Sequence, residues 1–210
     1  IGEAPVIFSE DLVESSCTHL QRAMHNKGYF RATVDTATHA KDRKVNLQYI
    51  ITANQPYTLR QYTIVLPHSE LNNIAHNRRQ SLVRPGMQYD ADVLNQERQR
   101  VASAMRRRGY FYFNAEYLQF VADSTRSTRQ IDVEMRLQDY VKQMDEEQQD
   151  KIFRQYTIAR VHFHIDYDPE RLPEDEEMFS SMHDGYVFTW VGQKLLRDKI
   201  LMRHCPIRPN

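Results

Sequence analysis

The chain has 210 residues, with 28 Lys and Arg against 28 Asp and Glu and a hydrophobic fraction of 40%. Balanced charge excludes the basic excess that phosphate-backbone binding needs, so no nucleic-acid partner is expected. No stretch approaches the roughly 20 apolar residues of a membrane-spanning helix, and the length suits one or two domains, or three small ones.

Residues 10–27 carry Leu12, Val13, Leu20 and Met24 at helical spacing, with Cys17 on the same stripe. Ser9 stands where a side-chain oxygen would cap the first turn, and Glu10 and Asp11 suit its positive end. Gly28 ends the helix where a left-handed conformation costs little, and Tyr29 follows to pack the helix end against a sheet. A short strand over 30–37 has Phe30, Ala32 and Val34 on one face. The polar turn HAKDRK leads into VNLQYIIT, where Val45, Leu47, Tyr49 and Ile51 alternate with polar neighbours.

RQYTI at 60–64 opens a further strand through Tyr62, Ile64 and Leu66, and SELNNIAHNRRQ at 69–80 reads as a short helix capped by Ser69, with Leu71 and Ile74 facing in. The long helix 90–108 is built like the first. Asp90 is its cap, Val93, Leu94, Val101 and Met105 face inward, and Arg106, Arg107 and Arg108 meet the negative helix end before Gly109 and Tyr110. A strand over 111–119 puts Phe111, Phe113 and Ala115 on one face and Tyr112 on the other. After ADSTRST, the stretch IDVEMRLQ alternates strictly through Ile131, Val133, Met135 and Leu137. A packed face opposite a wet one suits a sheet covered by helices on one side only.

One offset superposes Gly28-Tyr29-Phe30 on Gly109-Tyr110-Phe111, Met24 on Met105, Leu20 on Val101, Val13 on Leu94 and Phe8 on Tyr89. Agreement of caps, stripes and turns marks an internal repeat. RQYTI returns at 154–158, ahead of the alternating Val161, Phe163, Ile165 and Tyr167, so a third copy begins there. The polar segment 139–152 reads as a linker, 168–190 as an acidic, turn-rich insertion, and 192–204 as helix. The expected architecture is α+β: tandem β-α-α-β-β modules, each a three-stranded mixed sheet covered on one face by two helices. Residues 57–140 form the complete module. Residues 1–56 lack a first strand and most of a first helix, and 141–210 hold the linker and the start of a divergent module, so the outer modules are truncated. The start at Ile1 and the loop-like end HCPIRPN suggest a piece of a longer protein.

The layout, with Arg-Pro-Gly-x-x-Tyr-Asp at 84–90, Gly-Tyr-Phe at 28–30 and 109–111, and Phe-Ser at 8–9, resembles the polypeptide-transport-associated (POTRA) domain. Tandem copies resemble the periplasmic arm of the outer-membrane barrel assembly and translocation family of Gram-negative bacteria. The resemblance implies a non-enzymatic module at the periplasmic face of the outer membrane, with a membrane barrel elsewhere in the parent chain. It implies partners of two kinds, unfolded outer-membrane protein clients and periplasmic lipoproteins, taken up by strand addition at a sheet edge. In the family the strand after Gly-Tyr lies at that edge, which carries the contact over to Phe111, Tyr112, Phe113 and Ala115, and to Phe30 and Ala32 in the first copy. Arg106, Arg107 and Arg108 could meet an anionic partner, while Gly28, Gly109, Tyr29 and Tyr110 are structural. The rival function is a scaffold or cell-division-type module binding one folded partner.

No nucleophile elbow, zinc-protease motif, phosphate loop or dinucleotide fingerprint occurs, so no enzyme and no cofactor is expected. His162 and His164 share one strand face, with Asp166 and His183 near in sequence, but a solvated strand accounts for them and no metal is expected. The acidic run 170–177 reads as a solvated loop or a dock for a basic partner. Cys17 and Cys205 show neither zinc nor redox spacing, and two free thiols are expected.

Overall fold

The computed structural model describes residues 7–77, 79–125, 129–165, 178–194 and 196–209. The chain divides into two compact units, Ile1–Phe153 and Arg154–Asn210.

The first unit begins with helix α1 (Glu10–Asn26), followed by the hairpin β1 (Thr33–Lys41) and β2 (Lys44–Thr52). Ser9 occupies the cap position of α1 but its side chain accepts no cap bond, contrary to the expected role. The helix end is a Schellman motif: Tyr29 N–H donates to Met24 C=O (3.0 Å) and Gly28 N–H to His25 C=O (2.9 Å), with Gly28 at φ +86°. The expected inward stripe is only half realised, since no residue of α1 is buried and Leu12 stays 58% exposed. Two strands present too little surface to cover a helix face.

β3 (Thr58–Val65), α2 (Ser69–Ala75), α3 (Ala91–Arg107), a 3₁₀ turn (Ala115–Tyr117), β4 (Leu118–Asp123) and β5 (Gln130–Leu137) build a complete β-α-α-β-β body. Its sheet runs β3-β5-β4, with β5 central, parallel to β3 and antiparallel to β4. Along β5, Ile131, Val133, Met135 and Leu137 are all buried, as their alternation predicts. α3 turns Leu94, Val101, Ala102 and Met105 onto that face, and α2 adds Leu71 and Ala75. The Asp90 carboxylate accepts from the amides of Asp92 (2.9 Å) and Val93 (3.4 Å). α2 ends at Ala75 and its cap position is His68; Ser69 is its first residue and caps nothing.

The polar stretch after β5 is no linker. It forms α4 (Asp139–Lys142) and α5 (Glu146–Phe153), which bury Val141 and Ile152 in the same core, with Met144 and Phe153 packed beside them. Four apolar residues among many polar ones suffice because short helices need to bury only one side.

Gly28 also docks the first part of this unit onto the complete body. Its C=O accepts from Tyr57 N–H (2.9 Å), and a Cβ there would sit 2.8 Å from the carbonyl oxygen of Tyr89. Lys27 reaches Asp90 (2.9 Å) and Asp92 (2.8 Å), and Phe30 packs on Tyr57 and Tyr89 with ring centroids 5.2 and 5.1 Å away. Gly28→Ala therefore combines a left-handed backbone, costing about 1–2 kcal/mol, with a clash against main chain. The expected result is loosened docking, read as faster hydrogen exchange at the Tyr57 amide; unchanged exchange there would contradict it.

The second unit holds β6 (Val161–His164), β7 (Met178–His183), β8 (Tyr186–Val191) and α6 (Asp198–His204). Its order β6-β8-β7, with β6 parallel and β7 antiparallel to β8, repeats the scheme of the first unit's three-stranded sheet. The second RQYTI precedes β6 and lies outside any strand, unlike the first, which lies within β3. Residues 178–190, expected to belong to an insertion, instead form a hairpin closed by Asp184 (φ +48°) and Gly185 (φ +78°). An Asp-Gly pair between alternating runs is a strong hairpin signal, and it was there in the sequence. Phe163, Tyr186 and Phe188 stack along one face, and Lys194 lies 4.1 Å from the Trp190 ring centre. Helix begins at Asp198, six residues later than expected at 192. Tyr167 and the acidic run 170–177 lie outside the described residues.

Candidate partner-binding edges

β4 borders the complete sheet, and its register fixes which of its main-chain groups are free. Gln138 N–H donates to Tyr117 C=O (2.8 Å), and Leu118 stands opposite Leu137. In an antiparallel ladder hydrogen-bonded and non-bonded pairs alternate. Gln119, Val121 and Asp123 thus bond to β5, while Leu118, Phe120 and Ala122 turn N–H and C=O outward. Leu118 C=O is met by the Arg98 guanidinium (3.4 Å). Phe120 and Ala122 meet no main-chain partner on that side among the described residues.

This places the edge later in the chain than sequence reasoning put it. Phe111, Tyr112 and Phe113 lie in the turn after α3, and Ala115 opens the 3₁₀ turn. Phe113 is 1% exposed and packs on Tyr117 and Phe153, and Ala115 is equally buried, so neither side chain can touch a partner. Phe111 is 67% and Tyr112 40% exposed; their rings meet edge-on at 5.0 Å, with the Lys151 ammonium 4.4 Å from the Tyr112 centre. In the first copy Phe30 is also in a turn, Ala32 is buried, and β1 starts at Thr33. The physical reason is shared. A Schellman turn reverses the chain at Gly28 and Gly109 (φ +95°), and the next aromatic residues complete that reversal before extension begins.

Tyr110 is buried, and burial, followed by the Glu70 carboxylate it bonds, raises its hydroxyl above the ordinary phenol value. Tyr29 is half-buried. Arg106 donates to Phe113 C=O (3.2 Å) and Ser103 Oγ (3.3 Å), so its charge is partly engaged at home. Arg107 and Arg108 follow at the exposed helix end.

The other border, β3, is treated differently along its length. Leu59 N–H donates to Met87 C=O and Gly86 N–H to Leu59 C=O (both 2.7 Å), so the segment after Pro85 covers its beginning. At its end the Asn72 side-chain amide clips Leu66, accepting from its N–H (3.0 Å) and donating to its C=O (2.6 Å).

Behind β3 lies a buried carboxylate that sequence reasoning missed. Glu97 is fully buried and accepts from Arg100 Nε (2.8 Å), Ser81 Oγ (2.8 Å) and Leu82 N–H (3.0 Å). Burial alone would raise its pKa, but the Arg100 guanidinium and these donors outweigh it and hold the carboxyl below its ordinary range. Arg100 also donates to Ala75 C=O (3.0 Å), so the pair joins the end of α2 and the 81–82 loop to α3.

His162 and His164 stack with centroids 6.4 Å apart, and His164 Nδ1 lies 2.7 Å from Thr189 Oγ1. His183 instead faces Asp198 (3.4 Å), while Asp166 lies outside the described residues. No group of three metal-ligating side chains gathers among the described residues. Cys17 and Cys205 are free, half-buried thiols. No helix among the described residues is long and apolar enough to cross a membrane.

No protein-family model and no curated protein matches the chain. Among solved structures it is similar to BamA from Haemophilus ducreyi lacking POTRA domains 1–3, at 17% identity and TM-score 0.39, covering 65% of this chain and 24% of that one. It is similar to POTRA domains 3–5 of Haemophilus influenzae BamA, at 12% identity and TM-score 0.41 over 89% of this chain and 82% of that one. POTRA domains 1–3 of Omp85 from Anabaena match at 14% identity and TM-score 0.34, over 62% of this chain and 51% of theirs.

Proposed function

We propose that this chain is a piece of a tandem POTRA-type periplasmic arm, serving an outer-membrane protein assembly or translocation machine. In this role it receives extended segments of outer-membrane clients or of accessory lipoproteins by strand addition, and performs no catalysis. The β-α-α-β-β order with a central closing strand, the Arg-Pro-Gly loop and the repeated Gly-Tyr-Phe support the family reading. One observation carries the mechanism: β4 is a regular edge strand whose Phe120 and Ala122 main chains face outward. Backbone pairing reads little sequence, which suits a receiver of many different chains.

The register supplies a clean test. Ala122 N–H points away from β5, so Ala122→Pro removes an edge donor without breaking the ladder, whereas Val121→Pro breaks it. The expected result is that Ala122→Pro keeps the fold but loses capture of unfolded outer-membrane chains by a photo-crosslinker placed at Gln119 in the parent protein. Val121→Pro is expected to unfold the module. Undiminished capture by Ala122→Pro, or capture of one folded partner alone, overturns the client-receiving role.

A further inference from the structure

The second border of the same sheet contains a short window that no main-chain group among the described residues fills. β5 uses residues 132, 134 and 136 to bond β4, which leaves Val133 and Met135 to bond β3. Val133 stands opposite Tyr62 and Met135 opposite Ile64 in a parallel register. A residue facing its neighbour in a parallel ladder bonds the two residues flanking its partner. Thr63 therefore bonds inward, and Tyr62 and Ile64 turn their main chains outward. Leu59 on one side is covered by Gly86 and Met87, and Leu66 on the other is clipped by Asn72. Two residues are left, with four main-chain groups between two devices that satisfy the rest.

These groups open into a groove of about 550 Å³, floored by Ala75, Val83 and Pro85 and rimmed by His76 and Arg84. The volume lies within the range of roughly 300–1,000 Å³ typical of ligand sites. No aspartate or glutamate lines the groove among the described residues. The nearby Glu97 is paired with Arg100, and among the described residues that line the groove Arg84 carries the permanent charge. The chain itself already shows what the edge accepts, because Gln88 forms an antiparallel bridge to Thr58 just upstream.

We propose that this groove is a second peptide site, taking a short extended segment of a partner protein whose main chain pairs with Tyr62 and Ile64 and whose acidic side chain meets Arg84. The segment spans about three residues, the length of the window. The apolar floor accepts its inward side chain. This site does not rest on the role given to β4, since it uses the opposite edge.

The probe is an end-blocked peptide, acetyl-Thr-Val-Asp-Val-Thr-amide, titrated into the 210-residue chain and followed by amide NMR shifts. Expected are shifts at Tyr62 and Ile64 with Phe120 and Ala122 unmoved. Replacing the probe aspartate by asparagine, or Arg84→Gln in the protein, should each weaken binding about three- to fivefold, as for an exposed ion pair. N-methylation of the probe amide that pairs with the window should abolish binding, with methylation of its neighbour tolerated. Shifts confined to Phe120 and Ala122, no shifts at all, or affinity indifferent to Arg84→Gln would overturn the site. An outcome confined to β4 would leave the strand-addition role standing, so the two fail separately.

Discussion

Glu97→Ala should destabilise the complete module by about 3–5 kcal/mol, because it strands the Arg100 guanidinium in the interior. Arg100 is only 11% exposed and its nearest carboxylate is Glu97, at 2.8 Å. The same change also removes the acceptor for Leu82 N–H and Ser81 Oγ, which releases the loop that walls the groove beside β3. Replacing both partners by leucine should recover much of the loss, since two apolar groups leave no charge behind. The pH dependence follows from the sign of the shift. Glu97 is more acidic folded than unfolded, where its ordinary value is 4.5, so the folded state binds fewer protons near that value. Its contribution is whole above about pH 4.5 and disappears as pH falls through the lower folded value. Urea midpoints measured from pH 7 to pH 3 should fall more steeply for the parent than for Glu97→Gln. Parallel curves, or a Glu97→Ala midpoint equal to the parent's, would contradict the buried pair.

Phe113→Ala should cost about 3–5 kcal/mol, as large-to-small changes in a packed core do. Its ring is among the largest fully buried side chains and lies between Tyr117 and Phe153, centroids 6.0 and 6.4 Å away. Tyr112→Ser and Phe111→Ser, one and two residues earlier, should each change stability by less than about 1 kcal/mol, because both rings are exposed and an exposed edge-on pair or cation–π contact contributes little. Thermal melts of the three variants separate a core role from a surface one. If Phe113→Ala melted like the other two, the 110–117 segment would not be packed as described.

That contrast also marks the limit of reading Phe111-Tyr112-Phe113 by period. Alternation assigned Phe111 and Phe113 to one strand face, yet the segment is a turn and its neighbours have opposite fates. The left-handed glycine ahead of it changes the chain's direction, and a two-residue period holds only within extended backbone. A similar lapse hid α4 and α5. Their apolar residues are too few for a clear stripe, and only the space left beside Met135 and Leu137 makes Val141 and Ile152 core residues. Glu97 reads in sequence as one more polar position on α3. Its burial depends on a loop returning Ser81 and Leu82 to it.

Sequence by itself determined the repeated helix ends, the cap at Asp90, the alternation of β5 and the β-α-α-β-β order of the complete module. All of these are encoded by residues close together in the chain, where spacing and backbone preference act directly. Tertiary structure alone decided which border groups stay unpaired. Whether Phe120, Ala122, Tyr62 and Ile64 face outward depends on the register of β5 against two strands at once, and on where Asn72 and the Gly86–Met87 turn come to rest. Hydrogen-bond satisfaction across a sheet is set by partners distant in the chain, so no local pattern announces it.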